Sequence, residues 1–175
     1  MTYKQILSNT FAKLAQDAKI LFVGYNTRIN KAGGTLKDVP EEQLLETPLA
    51  ENLMAGLATG MALKGYKPIL YLERFDFITN ALDCIVNQID KINKLSKGEF
   101  CANIIIRCVV GKKNKPFFTG PTHTQNFSEA MSKLVSFPVI SLLKKSAISK
   151  EYFRAYNNLN KHSTMLIEFQ DYYEE

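Results

Sequence analysis

The spacing of apolar residues changes repeatedly along the chain, and each spacing predicts a type of element. Residues 3–17 carry apolar side chains at helical intervals, which predicts an amphipathic helix. Residues 20–25 (ILFVGY) are apolar throughout, which is typical of a strand buried on both faces of a sheet. The same patterns predict further strands at 43–46, 68–73, 103–110, 138–143 and 164–169, and further helices at 48–64, 76–95, 126–135 and 149–159.

This alternation of strands and helices defines the predicted fold class. It implies βαβ units and therefore an α/β protein, a three-layer α/β/α sandwich around a mostly parallel, twisted sheet. Ligands of such sheets bind beyond the carboxyl ends of the strands. The segments after residues 46 and 73 and the loop at 110–125 are therefore candidate parts of a binding site.

The composition fits a globular chain with one domain, which we expect to span residues 1–175. Hydrophobic residues make up 46% of the sequence and charged residues 22%, and both are ordinary values. No apolar run approaches the roughly 18–20 residues of a membrane span. Polar residues also interrupt the N-terminal pattern too often for a signal peptide. We therefore expect a cytoplasmic protein with no membrane partner.

The net charge of +5 and a pI near 9.0 raise the question of nucleic-acid binding. Most lysines are scattered, and the short clusters at 111–115 and 143–146 accompany no groove-reading motif. A solvated basic surface explains the charge, so we expect no nucleic-acid partner.

The cysteines and histidines offer little for a metal site. The sequence has an odd number of cysteines, and their spacing is not that of metal ligands: Cys84, Cys101 and Cys108. We therefore expect reduced and largely buried thiols. With only His123 and His162 besides, neither a Cys/His zinc site nor a histidine-rich metal centre is predicted. The glycine-rich phosphate motifs and the Gly-x-Ser-x-Gly elbow are also absent. Any cofactor phosphate must then be held by other means.

The predicted helix at 48–64 contains one isolated acid. Thr47 can cap this helix, and Pro48 suits its first turn. Glu51 follows, and no other charged residue occurs before Lys64. Considered alone, Glu51 is a surface acid that favours the positive end of the helix dipole. The alternative is a carboxylate that is needed there for chemistry.

Two glycines, Gly56 and Gly60, lie four positions apart in the same helix. Glycine in a helix interior costs about 1 kcal/mol relative to alanine, so the pair indicates the close approach of another backbone. That backbone belongs either to the chain's own sheet or to a helix of a second subunit, and the sequence leaves both open.

Three residues of later segments complete the candidate site. Phe75 and Phe77 lie at the turn after the strand at 68–73. They are either core residues, the commonest fate of phenylalanine, or a flat platform for a heteroaromatic ring. His123 precedes the helix at 126–135. A lone histidine is usually structural, but in a site loop of a parallel sheet it is a candidate for proton transfer or substrate hydrogen bonding.

Taken together, these segments resemble the pyrimidine-binding domain of the transketolase-like thiamine-diphosphate-dependent enzymes. The stretch ETPLAENLMAGLATGMALKGYKPILYLERFDF (46–77) is similar to the beta subunit of pyruvate-dehydrogenase-type 2-oxo acid dehydrogenases, where an Asp-Thr-Pro-[Ile/Leu]-[Ser/Ala]-Glu block opens a glycine-rich helix. The Phe-x-Phe turn and ALDCIVNQIDK (81–91) follow at the same spacing. GPTHTQNF (120–127) resembles the Gly-x-Thr-His loop of transketolase and deoxyxylulose-phosphate synthase. The dehydrogenase beta subunits have His-Ser-Gln there.

The resemblance implies a role for each matched residue. Glu51 matches the glutamate that hydrogen-bonds the aminopyrimidine of thiamine diphosphate and so promotes loss of the C2 proton from the thiazolium ring. Phe77 matches the aromatic residue that stacks on the pyrimidine, and Phe75 would line the same pocket. His123 matches the histidine that contacts substrate or intermediate. The expected catalytic residues are thus Glu51 and His123, and no metal ligand is expected in this chain.

The chain also departs from the family pattern. It has neither the Gly-Asp-Gly…Asn magnesium motif of a diphosphate-binding domain nor the further C-terminal domain of transketolase and the dehydrogenase beta subunit. The resemblance therefore implies a separate diphosphate-domain subunit that binds Mg2+, in a heterodimer or an α2β2-like heterotetramer. Thr119 stands where the transketolase-type loop has an acidic residue, so no sugar-phosphate contact is carried over from that loop.

Two classes of function follow. The first is the pyrimidine-binding subunit of a split enzyme that acts on a keto sugar or a 2-oxo acid, by ketol transfer, decarboxylation or acyl transfer, and is inactive alone. The second is a non-catalytic assembly or regulatory module with the same fold. Such a module has little use for the combination of Glu51, Phe77 and His123.

Overall fold

The continuous apolar runs form one six-stranded sheet whose strand pairs are all parallel. The computed structural model describes residues 1–113 and 120–175, so Thr119 and part of the 110–125 loop lie outside the described residues. The strands are β1 (Ile20–Gly24), β2 (Leu44–Glu46), β3 (Lys67–Leu72), β4 (Ile105–Val110), β5 (Val139–Ser141) and β6 (Thr164–Phe169). The predicted α/β fold class is confirmed.

The strands lie in the order β2-β1-β3-β4-β6-β5. β1 pairs with β2 on one side and with β3 on the other, so the winding of the chain reverses between β1 and β3. An open α/β sheet leaves a crevice at such a reversal, outside the carboxyl ends of the strands. The ends of β1 and β3 therefore frame the place where a ligand is expected.

Helices cover both faces of the sheet and complete the three layers. The α-helices are α1 (Tyr3–Leu14), α2 (Lys31–Gly34), α3 (Glu51–Leu63), α4 (Ile92–Leu95), α5 (Ser128–Leu134) and α6 (Lys145–Asn157). Short 3-10 helices span Glu41–Gln43, Phe75–Ala81, Gly120–His123 and Gln170–Tyr172, and a π-helical turn spans Cys84–Ile89. α1 and α6 pack on one face of the sheet, and α3 and α5 pack on the other. In the described residues no helix is both long and apolar enough to cross a bilayer.

The first helix, α1, follows directly from its sequence. Thr2 and Gln5 form a capping box in which each side chain bonds the backbone N–H of the other residue. These bonds satisfy donors that the first turn of a helix leaves open. Leu7, Phe11 and Leu14 share one face and are buried in the core that α1 forms with α6. Burial of each such side chain stabilises the fold by roughly 2 kcal/mol.

The helix predicted at 76–95 is present, but it is not one regular α-helix. The segment begins as a 3-10 helix in which Phe75, Ile78 and Ala81 are 0%, 1% and 0% exposed. A 3-10 helix has three residues per turn, so residues at intervals of three lie in one line. Here that line faces the core. The π-helical turn that follows keeps the next apolar residues on the same core, and α-helical geometry is confined to residues 82–83 and the short α4.

The third helix, α3, begins at Glu51 and not at Pro48 as predicted. The Ala50 N–H donates to the Pro48 carbonyl at 2.9 Å, which holds these residues in a turn ahead of the helix. Thr47, the expected cap, is buried, and its hydroxyl has no hydrogen-bond partner in the described part of the chain. Glu51 is therefore the first helical residue, and no side chain caps the helix before it.

The cysteines depart from expectation at one position. Cys84 and Cys108 are buried, whereas Cys101 is exposed because it lies in the segment before β4, outside the sheet. Burial raises the pKa of the Cys84 and Cys108 thiols, which keeps both protonated and unreactive.

A buried ion pair crosses the core on the α1 side of the sheet. Arg107 on β4 and Glu168 on β6 are fully buried and share two hydrogen bonds, Nε to Oε1 at 2.8 Å and Nη2 to Oε2 at 2.9 Å. Tyr152 and Tyr173 donate their hydroxyls to the same carboxylate at 2.6 and 2.5 Å. Burial by itself lowers the pKa of Arg107, but the Glu168 carboxylate outweighs this effect and holds the pKa well above its usual value.

A second polar cluster joins the start of β3 to the end of α6. Lys67 donates to Asp17 Oδ2 at 2.7 Å, and the Tyr156 hydroxyl donates to the same oxygen at 2.8 Å. The hydrogen bond from Lys67 is the largest cause that lowers the pKa of Asp17 from 3.8 to about 2. Folding stability should therefore depend on the charge of this carboxylate.

We expect Asp17→Asn to lower the free energy of unfolding at pH 7 by about 1 kcal/mol. A carboxylate with a depressed pKa in the folded state stabilises that state above its unfolded pKa, and loses this contribution as the pH falls through its folded pKa. The difference between wild type and variant should thus shrink between about pH 4 and pH 2. Urea unfolding across this range measures the difference. The control is Glu42→Gln, an exposed site without an ion pair among the described residues, and equal stability of Asp17→Asn and wild type at pH 7 would contradict the prediction.

Candidate functional site

A cavity of about 340 Å³ lies at the carboxyl ends of β1 and β3, where the winding of the chain reverses. Small-molecule sites have volumes of about 300–1,000 Å³. The cavity lining includes Asn26, Glu51, Glu73, Arg74, Phe77 and His123. Two larger cavities, of about 510 and 500 Å³, lie at the opposite, amino-terminal ends of the strands and contain none of the predicted site residues. The three segments predicted to form a site therefore meet in this cavity.

Glu51 enters the cavity from the first turn of α3 and is 7% exposed. Asn80, on the 3-10 helix after β3, donates its Nδ2 to Glu51 Oε2 at 3.1 Å. Within the described part of the chain, Oε1 of Glu51 accepts no hydrogen bond. This oxygen is not one of the fully enclosed side-chain atoms that lack a partner, so a ligand in the cavity can reach it and form a hydrogen bond. Glu51 is a buried cavity residue and not the surface acid that its position alone suggested.

The turn after β1 forms another part of the wall. Asn26 has a φ of +60°, a left-handed conformation that asparagine tolerates. Its side chain donates to Glu73 Oε2 at 3.0 Å and so ties the end of β1 to the end of β3. Glu46, at the end of β2, accepts the backbone N–H groups of Asn26 and Arg28 at 2.6 and 2.7 Å. Carboxylates at the end of β2 and just after β3 therefore fix the shape of this turn.

The two phenylalanines of the Phe-x-Phe turn lie in different places. Phe77 is half-buried and lines the cavity, and its ring meets the His123 ring edge to face with centroids 5.3 Å apart. Phe75 is fully buried in the core and packs at a steep angle against Phe127. The structure thus places Phe75 among the core residues, the alternative that the sequence left open. A direct contact with a ligand in the cavity remains a proposal for Phe77 alone.

His123 reaches the cavity on the segment that follows β4. Gly111, the first residue after β4, passes so close to this segment that a Cβ there would lie 2.0 Å from the His123 carbonyl oxygen. Asp76 accepts two hydrogen bonds from Gln125, from the backbone N–H at 3.1 Å and from the side chain at 3.0 Å. These bonds tie the histidine segment to the turn that carries Phe77.

This arrangement places a buried carboxylate, an aromatic ring and an imidazole around one cavity. A flat heteroaromatic ring can stack on Phe77 while it hydrogen-bonds to Glu51. His123, whose ring contacts that of Phe77, can donate or accept a proton. Among the residues that the structure describes, no group of three or more His, Cys, Asp or Glu side chains is arranged to hold a metal ion.

Sequence reasoning did not anticipate Asn26, Asn80 or Arg74. Asn26 and Arg74 are each the second residue after their strands, β1 and β3, and a polar residue close behind a buried strand was the available signal. Which two strands are neighbours could not be read from the sequence. Asn80 lies 29 positions from Glu51, and no local pattern joins the two.

The fold and the cavity first define a class of protein: an α/β domain that holds a buried glutamate where its parallel sheet reverses. The family model of the transketolase pyrimidine-binding domain matches residues 1–159 of the chain. This chain belongs to that family, as the resemblance of its motifs predicts.

Curated relatives include beta subunits of pyruvate dehydrogenase. The chain is 31% identical over 134 residues to the mitochondrial pyruvate dehydrogenase E1 component subunit beta of Saccharomyces cerevisiae, a match that covers 73% of this chain and 36% of the relative. It is 27% identical over 117 residues to the pyruvate dehydrogenase E1 component subunit beta of Bacillus subtilis. This match covers 63% of this chain and 36% of the relative. The matched part is therefore little more than a third of the length of these relatives.

Solved structures with the same fold include a split-gene transketolase determined as an inactive beta4 tetramer. That structure superposes with a TM-score of 0.62 at 18% identity, and the match covers 96% of this chain and 51% of the other. Benzoylformate decarboxylase from Polynucleobacter necessarius superposes with a TM-score of 0.68 at 16% identity. The match covers 100% of this chain and 31% of the decarboxylase chain. At these identities the likeness establishes the fold alone.

Proposed function

We propose that this chain is the pyrimidine-binding subunit of a split thiamine-diphosphate-dependent enzyme and is inactive without a second subunit. The observation that carries the proposal is the buried Glu51 carboxylate, which faces a cavity beside Phe77 and His123. Family membership supports the choice of cofactor. Similarity to proteins named as subunits of pyruvate dehydrogenase supports a multi-subunit enzyme.

The residues of the cavity fit the aminopyrimidine part of thiamine diphosphate. Glu51 would hydrogen-bond a ring nitrogen through Oε1, while Asn80 fixes Oε2. Phe77 would provide the stacking surface. When bound, the cofactor supplies the carbon nucleophile that attacks a substrate carbonyl. Glu51 would hold and release the proton on which this reactivity depends.

The outer face of α3 supports a subunit partner. Four leucines in or just before this helix are between 37% and 61% exposed: Leu49, Leu53, Leu57 and Leu63. Gly56 and Gly60 lie among them, and a Cβ at either position would meet nothing within 4 Å. The glycines therefore do not allow close packing of α3 on the chain's own sheet, which was one of the two alternatives. Close approach of a second subunit explains both the glycines and the exposed apolar face.

The proposed partner is a diphosphate-domain subunit, in a heterodimer or an α2β2-like heterotetramer. It would bind Mg2+ and the diphosphate, because this chain lacks the Gly-Asp-Gly motif. Glu51 begins the helix that carries the exposed apolar face, so a subunit docked on α3 would lie next to the cavity. The substrate would be a small keto sugar or a 2-oxo acid, with His123 in contact with it.

Reconstitution tests this function. The purified chain is mixed with a subunit that carries a Gly-Asp-Gly…Asn motif, for example one encoded beside it, together with thiamine diphosphate and Mg2+. We expect a stable complex and an activity that neither subunit has alone. Ketol transfer between sugars and decarboxylation of 2-oxo acids are assayed in parallel, and light scattering gives the stoichiometry. A complex that binds the cofactor but turns over neither substrate class would favour the non-catalytic module.

A further inference from the structure

Arg74 differs from the other arginines in its ionic partners. The sequence contains four arginines, and three of them have a glutamate partner. The pairs are Arg28–Glu41 at 2.9 Å, Arg107–Glu168 at 2.8 Å and Arg154–Glu151 at 3.6 Å. Among the described residues, no carboxylate oxygen lies within 4.0 Å of the Arg74 guanidinium. Residues 114–119 contain no Asp or Glu, so they cannot supply the missing partner.

This unpaired cation lines the cavity. Arg74 is half-buried and is the last residue before the 3-10 helix that carries Phe77. Its Nη1 donates to the Glu73 carbonyl at 2.7 Å, which fixes one side of the guanidinium. The Glu73 carboxylate accepts a hydrogen bond from Asn26 and forms no ion pair with Arg74. A guanidinium has five N–H donors, and the described residues accept no other hydrogen bond from Arg74, so they leave most of these donors open to a ligand.

Arg74 and His123 border the same end of the cavity. Gly111 passes between them, and a Cβ there would lie 2.0 Å from the His123 carbonyl oxygen and 3.6 Å from Arg74 Nε. Glycine at this position allows the histidine segment and the arginine to come together. Glu51, in contrast, enters the cavity from α3.

A half-buried guanidinium without a counterion is costly, and its planar fork matches two oxygens of a carboxylate or a phosphate. We propose that Arg74 binds the anionic group of the substrate and so orients the substrate beside His123. That the anion belongs to a substrate rests on the proposed function, whereas the anion site itself does not. A 2-oxo acid presents a carboxylate next to its carbonyl, and a phosphorylated keto sugar presents a phosphate at its far end.

Anion binding by the isolated full chain tests this site without cofactor or partner. Pyruvate and inorganic phosphate are the probes, and they are titrated into protein labelled with 15N while the Arg74 Nε–Hε signal and the amide signals around the cavity are followed. We expect saturable shifts with at least one anion. Affinity should fall by about 10- to 150-fold in Arg74→Gln, the loss expected for hydrogen bonds to a charged group. A preference for pyruvate assigns a carboxylate, and a preference for phosphate assigns a phosphate.

Matched variants separate the guanidinium from general charge. Arg74→Lys keeps the charge but loses the fork, so its affinity should lie between those of wild type and Arg74→Gln. Arg28→Gln removes an exposed arginine outside the cavity and should bind as wild type does. If neither anion shifts the Arg74 signal, or if Arg74→Gln binds equally well, the proposal is overturned.

The reconstituted enzyme distinguishes this proposal from the proposed function. There, Arg74→Gln should raise KM for the anionic substrate by a similar factor and change kcat little. Anion binding at Arg74 in a chain that never yields an active enzyme would support the site and contradict the proposed function. If the reconstituted enzyme is active and Arg74→Gln leaves KM unchanged, the proposed function is supported and the anion site is contradicted. Weakened subunit association in this variant would assign Arg74 to a carboxylate of the partner and overturn the proposal.

Discussion

Glu51→Gln is expected to lower kcat of the reconstituted enzyme by about 10²- to 10⁴-fold, the usual contribution of a positioned acid or base. Glutamine keeps the size and the hydrogen-bonding capacity of glutamate but cannot hold and release a proton. The side chain is only 7% exposed, so water has little access to replace it. Cofactor affinity should change much less, because the amide can still donate a hydrogen bond and Asn80 can still bond the amide oxygen.

Steady-state rates at saturating cofactor give kcat, and calorimetry gives cofactor affinity. Glu42→Gln, which changes an exposed glutamate outside the cavity in the same way, should leave both unchanged. Full turnover by an assembled Glu51→Gln enzyme would refute the acid–base role. The carboxylate would then be a first-turn acid whose burial serves structure.

Much of the fold could be predicted because the apolar patterns are long and of different periods. The run at 20–25 became β1, and the run at 103–110 became β4, each within two residues at either end. The helix at 76–95 was predicted, but its 3-10 start was not, because the buried residues there recur every three positions. Over one or two turns, this spacing cannot be told from the 3.6-residue period of an α-helix.

Only those residues of the candidate site that belong to a recognisable sequence motif could be predicted. Phe75 and Phe77 are two positions apart, and on a strand they would face the same way. On the observed 3-10 helix they diverge, so Phe75 enters the core and Phe77 reaches the cavity. Asn26 and Arg74 come together because β1 and β3 are neighbours. That adjacency is a property of the folded sheet, in which all strands are similarly apolar, so the sequence gives no sign of it.

Glu168→Gln is expected to lower the free energy of unfolding by about 3–5 kcal/mol, a large share of the roughly 5–15 kcal/mol of a typical domain. Glu168 accepts two hydrogen bonds from Arg107 and one each from Tyr152 and Tyr173. An amide has one acceptor oxygen, and its NH2 group would face donors. The variant also leaves the Arg107 guanidinium, which is 0% exposed, without its counterion.

Urea unfolding of Glu168→Gln is compared with that of Glu129→Gln, which makes the same change in an exposed ion pair with Lys133. The exposed variant should change stability by at most about 0.5 kcal/mol. If Glu168→Gln is too unstable to purify, the double variant Arg107→Met with Glu168→Leu should recover part of the stability, because it removes both buried charges. Equal effects of Glu168→Gln and Glu129→Gln would show that the buried pair contributes no more than a surface pair. The buried pair lies on the opposite face of the sheet from α3, so we expect these changes to alter the folded fraction and not the chemistry of the site.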